Sequence, residues 1–221
     1  MKKTLLLSLL IASLSMVAQA APCVSGGTLA SYIGLGAGGC TFDSLLFNNF
    51  TYENSSSGGG VAPDAAGVKV DTVVQGPEAG LEFVASWLSG SGQTSDGNIG
   101  FTVTCQDCKI DDLKLIMDGI GLGTGLASVA EISSSPSIGL GTTSSVGFNQ
   151  FSDSKDIAPI DSLNLLKDIG TSGGTAGSGH VSAVFNLFST TQTTMTPEPS
   201  LMLLCMGALC LVPVVQKIRR A

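Results

Sequence analysis

Arginine is absent between Ala21 and Thr196, and the full chain of 221 residues has one histidine (His180), one tryptophan (Trp87) and two tyrosines. Across that stretch five lysines face sixteen Asp and Glu, a net charge of −11. A body this acidic repels phosphate backbones, so no nucleic-acid partner is expected. A Ser-His-acid catalytic set has only His180 to build on, and His180 follows a Gly/Ser tract with no visible nucleophile beside it. Aromatic residues make up 5% of the chain, which argues against the stacking surfaces of a sugar-cleaving groove. Helical patterning is scarce as well. Gly, Ser and Thr recur throughout the body, and glycine and β-branched residues are poor helix formers.

Both ends of the chain read as processing signals. Lys2 and Lys3 precede an apolar run from Thr4 to Val17, and Ala18-Gln19-Ala20 supplies a small-x-small cleavage site. Cleavage between Ala20 and Ala21 is expected, after a signal peptide of residues 1–20. Cys23 lies two residues beyond that junction, which favours ordinary signal peptidase cleavage over lipidation. What remains is one domain, residues 21–188, followed by a hydroxyl-rich linker at 189–196 and a tail at 197–221.

Within the body, alternation and turn residues predict strands at Phe47–Tyr52, Val68–Val74, Leu81–Leu88, Ile99–Cys105, Ile110–Met117, Ala127–Ile132, Ser145–Phe151, Ser162–Ile169 and His180–Phe188. Nine short runs with hardly a helix between them predict an all-β chain folded as a single β-sandwich, jelly-roll-like or Ig-like. Ser95-Asp96-Gly97-Asn98 reads as a tight turn. Residues 55–60, 133–136 and 171–179 read as surface loops.

Four cysteines fall in the body (Cys23, Cys40, Cys105, Cys108), while Cys205 and Cys210 lie in the tail. In an exported chain an even count reads first as disulfides. The local pairs Cys23 with Cys40 and Cys105 with Cys108 are favoured. Cys105-Gln106-Asp107-Cys108 also has the C-x-x-C spacing of redox and zinc sites, but its flanks read as the two strands of a hairpin rather than a βαβ unit, and no histidine is near.

Other constellations have plainer explanations. Gly34-Leu35-Gly36-Ala37-Gly38-Gly39 matches G-x-G-x-x-G outside any βαβ context and reads as a flexible loop inside the first disulfide. Asp107, Asp111, Asp112 and Asp118 lack the order of a calcium loop and read as a solvated edge. Glu78 with Glu82, or Asp153 with Asp156, are candidate glycosidase pairs only if the fold sets them at the right separation. No cofactor, no metal and no catalytic residue are expected.

The tail orders its parts as spacer, Pro197-Glu198-Pro199-Ser200, an apolar span from Leu201 to Val215, and a basic end with Lys217, Arg219 and Arg220. Fifteen residues span about 22 Å as a helix, short of a bilayer's roughly 30 Å core. The basic end extends this reach by snorkelling and stays cytoplasmic. Pro197 and Pro199 hold the preceding segment extended, the backbone form a processing enzyme needs. Read alone, the span is a plain C-terminal membrane anchor.

In motif, span and basic end together, the tail resembles the PEP-CTERM sorting signal of Gram-negative bacteria, with Pro213 inside the span as a departure. The resemblance implies an exosortase as partner, cutting near the motif, and membrane attachment before processing. It also implies a cell-surface or extracellular location and an association with exopolysaccharide or biofilm matrix. Cys40-Thr41-Phe42-Asp43, Phe47-Asn48-Asn49-Phe50-Thr51-Tyr52 and Lys167-Asp168-Ile169 are similar to the Gly-rich β-sandwich bodies that often precede this signal. The expected function is structural or adhesive. A carbohydrate-binding or calcium-dependent lectin-like module is the alternative.

Overall fold

Period-two alternation places most of the chain in strands. The computed structural model describes residues 20–192. The expected signal-peptide residues 1–19, the motif Pro197, Glu198, Pro199 and Ser200, and the basic residues Lys217, Arg219 and Arg220 lie outside them. The described elements are β1 (Ala21–Pro22), β2 (Gly27–Thr28), α1 (Leu29–Ile33), β3 (Cys40–Phe42), β4 (Leu45–Ser57), β5 (Lys69–Gln75), β6 (Glu78–Ser89), β7 (Thr94–Cys105), β8 (Cys108–Leu122), β9 (Leu126–Ser134), β10 (Ser137–Ser145), β11 (Phe148–Gln150), β12 (Ser152–Ile160), β13 (Ser162–Ser172) and β14 (Ser178–Gln192). Helix α1 is one turn capped by Thr28, whose Oγ1 accepts from the Ser31 N–H at 3.3 Å, and it buries Leu29 and Tyr32.

The strands form an eight-stranded sheet in the order β1-β3-β4-β7-β13-β9-β10-β11 and a six-stranded sheet in the order β12-β8-β14-β6-β5-β2. Their inner faces share one hydrophobic core. Phe47 of β4 packs against Phe188 of β14 with ring centroids 6.1 Å apart, and Phe83 of β6 against Phe101 of β7 at 5.9 Å, so each pair bridges the sheets. Burying one such side chain stabilises the fold by about 1.5–3 kcal/mol. The architecture is the expected β-sandwich.

Several local expectations are corrected. Ser95-Asp96-Gly97-Asn98 is not a turn but part of β7, paired on both sides. The reversal before it is made by Gly90 to Gln93, where Gly92 takes φ +70°. Gly97 instead allows close packing, since a Cβ there would lie 2.5 Å from Trp87 Nε1. Cys105 and Cys108 do not close a hairpin: β7 belongs to the larger sheet and β8 to the smaller, so the chain turns a corner between sheets, with Asp107 at φ +60°.

The expected strand at 145–151 is broken at Gly147 (φ +86°) into the end of β10 and the short β11. Ser137–Ser145 and Ser152–Ile160 are strands that the pattern did not show. Ser133 and Ser134 belong to β9, and only residues 173–177 of the 171–179 tract lie between strands. Strand β14 runs to Gln192, into the expected linker.

Candidate functional site

Cys23 is joined to Cys40, with Cα atoms 4.8 Å apart, and Cys105 to Cys108 at 5.3 Å. The first bond ties the segment after Ala20 and Ala21 into the larger sheet, where Ala21 pairs in parallel with Cys40. The G-x-G-x-x-G stretch carries the chain from α1 to β3. Gly39 sits at φ +59°, where a Cβ would meet the Phe47 carbonyl at 2.2 Å, so its role is a close backbone approach. His180 Nε2 is 3.2 Å from Ser86 Oγ, on neighbouring strands of the smaller sheet.

The candidate carboxylate pairs are not assembled for glycoside chemistry. Glu78 and Glu82 lie four residues apart on one strand, about 13 Å at strand rise, beyond the spacing either mechanism uses. Glu78 is taken up by Lys114 at 3.1 Å. Asp153 accepts from the Gly141 N–H at 2.9 Å, and Asp156 faces Asp112 across the β12/β8 ladder. Burial, then Glu78 and Asp156, push the Asp112 carboxyl above its usual range. Among the described residues no group of three or more His, Cys, Asp or Glu is placed to hold a metal.

Two arrangements remain that concentrate polar chemistry. The first is the outward face of the larger sheet. Ladder register lines up Asn48, Thr102 and Asn164 in one row, and Glu53, Asn98, Asp168, Ala130 and Gly141 in another. Thr102 Oγ1 donates to Asn164 Oδ1 at 2.7 Å, and Asn98 Nδ2 to Asp96 Oδ1 at 3.1 Å. Burial, and then the neighbouring Asp168, raise the Asp96 carboxyl above its usual range. Between the two rows lie Leu166 and Ile132, both exposed and directly paired. The face therefore offers amides, hydroxyls and carboxylates around an apolar strip.

The second arrangement is inside the sandwich. Leu163, Leu165, Lys167 and Ile169 alternate inward along β13, so Lys167 takes a core position and is completely buried. Its directly paired neighbour on β9 is Glu131, equally buried, and Asn186 projects inward from β14 of the opposite sheet. Lys167 Nζ donates to Glu131 Oε2 and to Asn186 Oδ1, while Asn186 Nδ2 donates to the same Glu131 oxygen. Phe83 and Phe101 lie side by side near the ammonium, each ring centroid 5.8 Å from Nζ and the two centroids 5.9 Å apart. Burial drives the Lys167 amine below its ordinary range, with Glu131 opposing in part. Glu131 Oε1 has no partner.

The sequence did not single out this triad as a site, although the signal was present: charged and amide residues at inward positions of otherwise apolar alternation.

No family model matches the chain, and no curated protein matches it. Among solved structures it is similar to TmCBM61, a structure in complex with β-1,4-galactotriose, at 11% identity and TM-score 0.31, over 61% of this chain and 86% of that one. It is also similar to a family 11 carbohydrate-binding module from Clostridium thermocellum in complex with a mixed-linked tetrasaccharide, at 11% identity and TM-score 0.22, over 61% and 87%. A third likeness is the enzymatically active domain of tailspike protein 4 of bacteriophage CBA120, at 15% identity and TM-score 0.27, over 63% and 19%. Likenesses at TM-scores this low carry no assignment of ligand or activity, which must come from the chain's own residues.

Proposed function

We propose that the chain is an exported surface or matrix protein. Its β-sandwich serves structural or adhesive ends, and its tail at Pro197-Glu198-Pro199-Ser200 is cut by an exosortase. The observation that carries this proposal is the Cys23–Cys40 disulfide immediately after the Ala20-Ala21 junction, because such a bond persists in an oxidising compartment. The body's first strand begins at Ala21 itself, so signal peptidase cleavage there leaves the fold intact. The test is the intact mass of the protein from its native host, with and without the exosortase. A product beginning at Ala21 and ending near Pro197 only when the enzyme is present supports the proposal. Retention of Arg219 and Arg220 in both strains refutes it in favour of a membrane-anchored domain.

The alternative reading is a carbohydrate-binding module, favoured by the outward rows of the larger sheet, where Asn48, Thr102, Asn164, Asn98 and Asp168 present donors and acceptors beside Leu166 and Ile132. The acidic body directs this towards neutral glycans rather than uronate-rich polymers. Retardation in gels containing neutral polysaccharide, lost in Asn164→Ala and Asp168→Ala, would support it. Equal mobility with and without each polymer would exclude it.

A further inference from the structure

The Lys167–Glu131–Asn186 cluster makes little sense as a permanent ion pair. A charged lysine brought wholly into an apolar core loses its hydration, and such a pair is often no better than hydrophobic residues of similar volume. This one also leaves Glu131 Oε1 without a partner. The three groups are nevertheless placed with chemical economy. An amine touches a side-chain amide, and a single carboxylate oxygen accepts hydrogen bonds from both the amine and the amide nitrogen. The Phe83 and Phe101 rings lie side by side against the amine.

We infer that Lys167 and Asn186 condense into an intramolecular amide, with Glu131 as the catalytic residue, so that β13 of one sheet is covalently joined to β14 of the other. Glu131 first takes a proton from the Nζ ammonium and leaves a neutral amine, the form that burial favours here. The Nζ lone pair attacks Asn186 Cγ, forming the Nζ–Cγ bond as the carbonyl electron pair moves onto Oδ1. Glu131 hands its proton to Nδ2 and receives another from Nζ. The adduct then collapses, the Cγ–Nδ2 bond breaks, and ammonia departs.

Lysine and asparagine become a secondary amide, Glu131 ends protonated, and no oxidant, metal or cofactor takes part. Glu131 can shuttle the proton because its Oε2 contacts both nitrogens. The fold supplies the remainder by holding nucleophile and electrophile in contact, where effective molarities of roughly 10⁵–10⁸ M are attainable. The dry aromatic walls protect the neutral amine from reprotonation by bulk water.

The test is mass spectrometry of the folded, purified full chain. The wild type should be lighter than its sequence by one ammonia, beyond the hydrogens lost in its disulfides. Cleavage before aspartates should leave residues 161–167 joined to the peptide that begins at Asp168, and trypsin should fail to cut after Lys167. Glu131→Gln keeps the shape but cannot carry the proton, so its folded form should retain the ammonia and release the two peptides separately. Asn186→Asp should condense with loss of water and arrive at the wild-type product mass. That outcome separates chemistry at this carbonyl from a structural role of the triad. A folded wild type at its full disulfide-corrected mass, cut normally after Lys167, overturns the inference without reference to any variant.

Discussion

Replacing Cys23 and Cys40 together by alanine isolates the contribution of the bond that holds the first strand. The two residues are 17 positions apart, and closing a loop of that size in the unfolded chain is worth about 3 kcal/mol. For a domain of this length that corresponds to a fall in Tm of roughly 6–12 °C. Cys40 is buried, so losing its sulfur adds to the deficit, by about 1 kcal/mol if the void does not collapse. Against this, the segment keeps other ties: two parallel pairs to β3, the Cys23 N–H donating to the Thr41 carbonyl at 2.8 Å, and the Tyr32 hydroxyl donating to the Val24 carbonyl at 3.0 Å.

The body should therefore still fold and melt in one transition, at lower temperature. Calorimetry of the oxidised wild type, the reduced wild type and the double variant checks this. Reduction opens both disulfides, so the reduced wild type should melt no higher than the double variant. A double variant melting within a degree or so of the oxidised wild type would show that the loop is already ordered in the unfolded chain, and the entropic reasoning would fail.

Gly80→Ala and Gly139→Ala should part company although both lie in strands. A Cβ at Gly80 would sit 1.8 Å from the Asn186 carbonyl oxygen, whereas one at Gly139 meets nothing within 4 Å. The first should cost about 1–3 kcal/mol or more in chemical denaturation, and the second should leave stability unchanged or raised by up to about 1 kcal/mol. Asp96→Asn should stabilise the protein near neutral pH. With its folded pKa raised by burial and Asp168, Asp96 binds more protons folded than unfolded, so its penalty grows as pH rises through the window above the ordinary carboxylate value and is absent below it. The gap in Tm between variant and wild type should accordingly close on acidification. A gap independent of pH would place the effect elsewhere.

The strands that could be read from the sequence are those whose inward positions are large and apolar. β6 and β7 present Leu81, Phe83, Trp87, Ile99, Phe101 and Val103 to the core, and their alternation is plain. β10 hides the same geometry behind small residues, because its inward set is Ile138, Leu140, Thr142 and Ser144 with glycines facing out. Hydropathy alone does not separate that from a loop. β12 is an edge strand, largely exposed, carrying Lys155 and Pro159, the residues that keep an edge from pairing with another chain. It therefore has no buried stripe to detect. The sheet to which each strand belongs was not legible at Cys105–Cys108, since a tight turn can join paired strands or turn a corner, and only non-local pairing decides between them.

The triad shows how a site can be visible in pattern yet unreadable in meaning. Lys167, Glu131 and Asn186 each occupy an inward position among apolar neighbours, where solvation cannot account for them. A single such residue in a strand implies a partner, but three on β9, β13 and β14 imply one another only once register brings Lys167 opposite Glu131 and the sandwich closes Asn186 onto both. β14 lies between β8 and β6 in the smaller sheet and is the last strand among the described residues, so a pull applied to the chain beyond Gln192 would reach that strand first. A covalent bond at Asn186 passes it to β13, which is itself paired to β7 and β9. Load along β14 then has to break a bond rather than unzip a ladder of hydrogen bonds, and Lys167, the one buried lysine among the described residues, sits where that bond would carry it.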